Sequence, residues 1–153
     1  MTQPNLQPSP QTLAEQCADA MFSRDEASQQ LGMEIRSVQP GGATLTMTVD
    51  ERMIQGHGNC HGGYLFALAD SAFAFACNTY DRTTVAAGCS IEYVAAARLG
   101  DLLTATATER SRGRRTGVYD IEITNQEGRT VALFRGKSYQ VQGSVREPGD
   151  TQQ

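Results

Sequence analysis

A single carboxylate, Asp70, stands inside the most apolar stretch of the chain, HGNCHGGYLFALADSAFAFACN at residues 57–78. Nearly all its neighbours are Ala, Phe, Leu or Tyr. An unpaired charge in such surroundings is costly, or its pKa shifts. Asp70 therefore either faces a gap or caps a neighbouring loop, or it does chemistry. As chemistry it would be a general base that takes a proton from water, or a nucleophile that attacks a carbonyl directly. The residue types alone leave both routes open.

The same stretch opens on His61-Gly62-Gly63. A helix starting there presents free backbone N–H groups and the positive end of its macrodipole. Glycine lets a ligand come close to the backbone. Such a place can hold an anion or a developing oxyanion. Gly62 and Asp70 are eight residues apart, roughly 12 Å along one helix axis at 1.5 Å per residue. One chain cannot bring both to the same carbonyl. If both act, they come from two copies, which predicts a C2 homodimer with two equivalent interface sites.

Other chemistry fits less well. There is no Gly-x-Ser-x-Gly elbow. His57, Cys60 and His61 lie close together, but a Gly-Asn-Cys loop separates the two histidines, so they do not share a helical face as a metal pair would. No metal is expected, and Cys60 reads as a small packed residue. Basic residues gather in ERSRGRRTG, with Arg110, Arg112, Arg114 and Arg115, and again at Arg135 and Lys137. Each alone reads as a solvated strand end; arginine's planar fork also suits phosphate.

These residues need a scaffold. The 153 residues are enough for one cored domain. The formal net charge of −4 gives no reason to expect nucleic-acid binding. No stretch reaches the roughly 18 uncharged apolar residues of a membrane span, and the N-terminus lacks a basic and apolar leader. Cysteines 17, 60, 77 and 89 form no CxxC pair, which predicts reduced thiols in a cytoplasmic protein. Residues 1–10 read as a flexible arm, 11–142 as the domain and 143–153 as a polar, disordered tail. Within the domain, Leu13, Cys17 and Met21 recur every four residues and predict a helix over 11–30. Residues 33–39 and 43–50 flank a Pro-Gly-Gly turn and predict a hairpin with one wet face. Residues 51–60 read as a loop, 61–78 as a long helix, and 84–95, 102–112, 117–125 and 130–142 as strands. One apolar helix among antiparallel strands implies an α+β fold, with the sheet wrapped around the helix.

His61-Gly62-Gly63, Leu68-Ala69-Asp70-Ser71-Ala72-Phe73-Ala74, Thr116-Gly117-Val118-Tyr119-Asp120-Ile121 and Thr130-Val131-Ala132-Leu133-Phe134-Arg135-Gly136 together resemble the hotdog-fold acyl-CoA thioesterases. From Met53 to about Val141 the chain looks most like their phenylacetyl-CoA thioesterase subgroup. The resemblance implies a curved antiparallel sheet wrapped around one long central helix, with dimers that pair into tetramers. It implies that Asp70 does the chemistry, that the Gly62 N–H polarises the thioester carbonyl, and that His61 shapes the turn. Gln55 matches a loop position, usually Asn, that helps hold the attacking water. Gly63 and Asn59 are candidate substrate contacts, and Arg114, Arg115 and Lys137 candidate partners for CoA phosphates. No cofactor is implied; coenzyme A is part of the substrate. Two other readings stay open: a hydroxyacyl-thioester dehydratase on the same fold, pairing His61 with Asp70, and a non-catalytic acyl-CoA-binding module. Tyr64, Phe66, Phe73 and Tyr93 could line an acyl pocket or build the core.

Overall fold

The computed structural model describes Pro4 and residues 6–149. The remainder of the expected arm and tail lies outside the described residues. Helix α1 spans Pro10–Phe22. Ser9 caps it, its Oγ accepting from the Thr12 N–H at 3.1 Å, and Pro10 supplies a first-turn φ. The helix expected over 11–30 is two helices. It stops at Phe22, and Asp25 caps a new one, α2 (Glu26–Gln30), by accepting from the Ser28 N–H at 2.9 Å. Ser23 and Asp25 compete with the helical backbone for hydrogen bonds, and a cap is the outcome.

Six strands follow: β1 (Glu34–Gln39), β2 (Gly42–Thr48), β3 (Thr84–Tyr93), β4 (Leu102–Arg112), β5 (Thr116–Thr124) and β6 (Thr130–Gln140). They form one antiparallel sheet in the order β1-β2-β4-β5-β6-β3. The hairpin face expected to be wet is partly covered, because Arg36 lies over Thr46 and donates to its Oγ1 at 3.0 Å. One row of inward side chains crosses five strands: Ala43, Ala107, Ile121, Phe134 and Ile91. A second row runs Leu45, Ala105, Ile123, Ala132 and Tyr93.

The long helix α3 (Gly62–Cys77) lies on this inward face, as the α+β hotdog reading expects. Leu65, Leu68, Ala69, Ala72, Phe73 and Ala76 are buried against the sheet. Phe73 seats on Gly136 so closely that a Cβ there would lie 2.8 Å from its ring. Two side-chain ties fix α3 to β3. At the helix end, Asn78 donates to the Thr84 carbonyl and accepts from the Thr84 N–H, both at 2.9 Å. At the helix start, the Tyr93 hydroxyl donates to the Gly62 carbonyl at 3.0 Å. The helix therefore runs antiparallel to β3.

The two sheet edges differ. α1 packs along β1, where Gln11 Nε2 donates to the Val38 carbonyl at 2.7 Å. Among the described residues β3 has β6 on one side and no strand on the other, and residues 85–90 are exposed. At the C-terminus, residues 143–147 do not behave as the free tail expected from 143 onward. Asp81, at φ 60°, accepts from Ser144 Oγ and from the Val145 and Arg146 N–H groups, and pairs with the Arg146 guanidinium at 3.0 Å. Val145 is thereby buried. Among the described residues, no helix is long and apolar enough to cross a membrane.

Candidate active site

The loop before α3 is pinned at several points. It begins with a 3-10 turn at Glu51–Met53. Gln55 N donates to the Asn59 carbonyl at 2.8 Å, Cys60 N to Ala97 at 2.8 Å, and His61 N to Met53 at 2.7 Å. These bonds deliver His61 as the N-cap of α3, where its Nδ1 accepts from the Gly63 N–H at 2.8 Å. His61 and Gly63 thus consume each other's polar groups and set the first turn. Among the described residues the Gly62 N–H has no acceptor. Gly62 borders a cavity of about 490 Å³ that Gln55, Asn59, Leu65, Tyr93 and residues 94–97 also line. An unpaired N–H at a helix start beside a cavity is of the kind that can hold an anion or a developing oxyanion.

Gln55 reaches this cavity, but its Oε1 accepts from the His57 N–H. Its amide nitrogen has no protein partner among the described residues and is the group free to hold a water. Cys60 is buried, and burial first, then the carboxylates of Asp101 and Asp50, push its thiol up to about 11. A thiol so rarely ionised is a poor nucleophile.

Asp70 lies two turns further along α3, on the strip that also carries Gly62 and Phe66. It is half-buried, and among the described residues neither hydrogen bond nor ion pair reaches its carboxylate. Burial alone raises its pKa. Its charge reaches inward-facing Cys89 on β3, whose thiol is raised first by burial and then by Asp70. Asp70 does not line the Gly62 cavity. Gly62 is tied to Tyr93 at the end of β3, and the Asp70 charge is felt at Cys89 on the same strand.

The basic residues are scattered. Arg110 and Arg135 flank Asp120 on the outer sheet face, with Arg135 Nε at 2.6 Å from the carboxylate. Arg112 stacks 3.6 Å from the centroid of the Tyr80 ring. With Arg82 and Arg115 it lines a small cleft beside Cys77, at the far end of α3 from Gly62. Arg114 is exposed in the β4–β5 turn, and Lys137 is exposed on β6 opposite Gly88 and Val118. Within one chain, then, the structure gathers Gly62, Gly63, His61, Gln55 and Asn59, holds Asp70 apart, and leaves Arg114, Arg115 and Lys137 away from the cavity. That Cys89 shares the inward face with Ile91 was missed from sequence, although the alternation that turns Ile91 inward also turns Cys89 inward.

Residues 57–132 match a family described as the thioesterase superfamily. The chain is 51% identical over 130 residues to the acyl-coenzyme A thioesterase PaaI of Escherichia coli (strain K12), covering 85% of this chain and 93% of that protein. The solved structure of the E. coli PaaI protein from the phenylacetic acid degradation operon superposes with a TM-score of 0.88 at 50% identity, over 89% of this chain and 99% of that one. A hypothetical thioesterase from Streptococcus pneumoniae TIGR4, solved with coenzyme A, matches with a TM-score of 0.70 at 33% identity, over 72% and 90% of the two chains.

Proposed function

The chain belongs to the thioesterase superfamily, and we propose that this acyl-CoA thioesterase hydrolyses phenylacetyl-CoA or hydroxyphenylacetyl-CoA, in a homodimer that shares its two active sites. The observation that carries the mechanism is the pair on α3: a Gly62 N–H without an acceptor and an Asp70 carboxylate without a donor, on one helix but too far apart to meet. The likeness to a PaaI thioesterase and to a protein of a phenylacetic acid degradation operon supports the aryl substrate.

The β3 edge supports the shared site. Cys89 and Tyr93 are four residues apart, about 13 Å along a strand, matching the roughly 12 Å between Asp70 and Gly62 on the helix. Antiparallel pairing of two β3 strands about an axis near Ile91 sets Cys89 opposite the partner's Tyr93. It thereby sets Asp70 against the partner's Gly62. Each site takes its oxyanion donor from one chain and its carboxylate from the other. Pairing of two such dimers into a tetramer accords with the family resemblance. The free thiols of Cys17, Cys60, Cys77 and Cys89 support a cytoplasmic setting.

In the reaction, the thioester oxygen accepts from the Gly62 N–H. Asp70, raised in pKa by burial, takes a proton from water as general base. Hydroxide equivalent adds to the carbonyl carbon, the oxyanion collapses, and the C–S bond breaks. The thiolate leaves and recovers a proton, giving the free acid and CoA. The amide nitrogen of Gln55 orients the water. For the CoA phosphates the candidates are Arg115, which lines the cleft with Arg82 and Arg112 at the far end of α3, Arg114 in the β4–β5 turn and Lys137 on β6.

Release of free thiol from a panel of acyl-CoAs tests this reading. Phenylacetyl-type thioesters are expected to be turned over fastest, and Asp70→Asn to be folded but at least about a hundredfold slower. Preference for straight-chain acyl-CoAs overturns the substrate class. An Asp70→Asn protein as fast as wild type overturns the mechanism. A wild type that binds these thioesters and hydrolyses none returns the dehydratase and binding-module readings.

A further inference from the structure

We propose that Tyr93 is a positioning residue for the oxyanion donor: its hydroxyl and ring together hold Gly62 so that the N–H points into the cavity. This rests on the reading of Gly62 as that donor. An oxyanion donor must be aimed to within a few tenths of an ångström of where charge develops. A helix's first residue is poorly suited to that demand, because terminal turns fray. Gly62 is the first residue of α3 and has no side chain to anchor itself.

Tyr93 supplies the anchor from outside the helix. Its hydroxyl donates to the Gly62 carbonyl at 3.0 Å. Its ring packs on the Gly62 α-carbon so tightly that a Cβ there would lie 2.9 Å from Cζ and 3.1 Å from the hydroxyl oxygen. One contact holds the peptide after Gly62, and the other closes the space beside the residue itself. The Gly62 N–H, which has no acceptor among the described residues, is left to the cavity that Gly62 lines. Tyr93 is itself fixed, since the next two residues, Val94 and Ala95, both donate to the Val131 carbonyl, at 2.9 and 3.2 Å. The anchor is therefore the sheet. The ring also borders the cavity, so a substrate entering it lies between Tyr93 and the donor.

The same packing explains why residue 62 is glycine. A Cβ at residue 62 would meet the Tyr93 ring rather than open space, so either the ring gives up its bond to the Gly62 carbonyl or the helix start shifts away from β3. The steric demand and the positioning role are one contact, so they should appear as energetic coupling between positions 62 and 93.

The test is a double-mutant cycle on the full chain, read with the acyl-CoA that wild type turns over fastest. Tyr93→Phe keeps the ring and loses one hydrogen bond, so kcat should fall about five- to tenfold. KM should stay within about twofold and the melting temperature within about a degree. Gly62→Ala should cost about a hundredfold or more in kcat with Tyr93 present. In a Tyr93→Ala background, the same substitution should cost at least about tenfold less. Wild-type kcat in Tyr93→Phe, or an equal Gly62→Ala penalty in both backgrounds, overturns the Tyr93 assignment alone. A Gly62→Ala protein with unchanged kcat likewise overturns the Tyr93 assignment alone, because alanine keeps the backbone N–H; the donor assignment fails separately if the Asp70→Asn and Gly62→Val chains do not restore each other's activity when refolded together. Coupling seen in melting temperature but not in kcat reduces the contact to a structural tie and likewise overturns the Tyr93 assignment.

Discussion

Gly62 and Asp70 stand on one uninterrupted helix, eight residues apart on the strip that faces the open edge of the sheet. The helix backbone fixes their separation at roughly 12 Å along the axis. No side-chain rotation closes that gap, so in the dimer proposed above the two residues belong to different sites.

Two inactive variants should therefore restore each other. Asp70→Asn chains retain Gly62, and Gly62→Val chains retain Asp70. Unfolding and refolding them together in equal amounts makes about half of the dimers mixed, each with one intact site. About a quarter of wild-type thioesterase activity is expected from the mixture. Activity no greater than the sum of the separate variants would show that each site lies within one chain.

The pH profile should carry Asp70's signature. A base must be ionised, so kcat/KM should fall on the acid side with an inflection above the ordinary aspartate value of about 3.9. Stability runs the other way. A carboxyl whose folded pKa is raised contributes stability below its unfolded pKa and loses it as pH rises through the folded one. At neutral pH the ionised Asp70 is a cost, and Asp70→Asn should melt a few degrees higher than wild type. That advantage should vanish towards pH 4. A variant that melts lower at pH 7, and equally so at pH 4, would contradict the desolvated environment seen for Asp70.

Asp81 makes the opposite pH prediction. Burial pushes its carboxyl up, but bonds from the Arg146 side chain and backbone and from Ser144 outweigh that, holding it below the ordinary range. Its stabilisation is present above its unfolded pKa and is lost as pH falls through the folded one. Asp81→Asn tolerates the positive φ but loses the charge. It should cost about 2 kcal/mol, or roughly 4 to 8 °C. Hydrogen exchange at the Val145 and Arg146 amides should quicken in the same variant. Unchanged exchange would mean that the segment is held by Val145 burial instead.

The separation of Gly62 and Asp70 was legible in the sequence because helix rise is invariant and the apolar run at residues 62–77 is too long for a typical strand. The alternation of Leu103, Ala105 and Ala107, and of Tyr119, Ile121 and Ile123, placed β4 and β5 correctly. What escaped depends on distant partners or on competing short-range bonds. Asp81 reaches residues more than 60 positions away, which makes a polar segment look like a tail. Arg36 covers Thr46 only because β1 carries a bulge beside it. The arginines of ERSRGRRTG look like one cluster, yet a bulge between Glu109 and Ser111 interrupts the strand there. Arg110 joins Asp120 outside, and Arg112 stacks on Tyr80 at the sheet's end. Gln55 bonds the backbone two residues on, a preference that a one-letter comparison with Asn does not reveal.

The unequal edges of the sheet set a limit on growth. An unpaired strand is a template for further strands, and a sheet open on both sides can extend into a filament. Here α1 packs beside β1 and Gln11 takes up the Val38 carbonyl, while among the described residues β3 has no cover on its outer edge. Such a unit has a valence of one through its sheet. Joining two of them uses up both open edges at once, so strand addition terminates itself at the second chain.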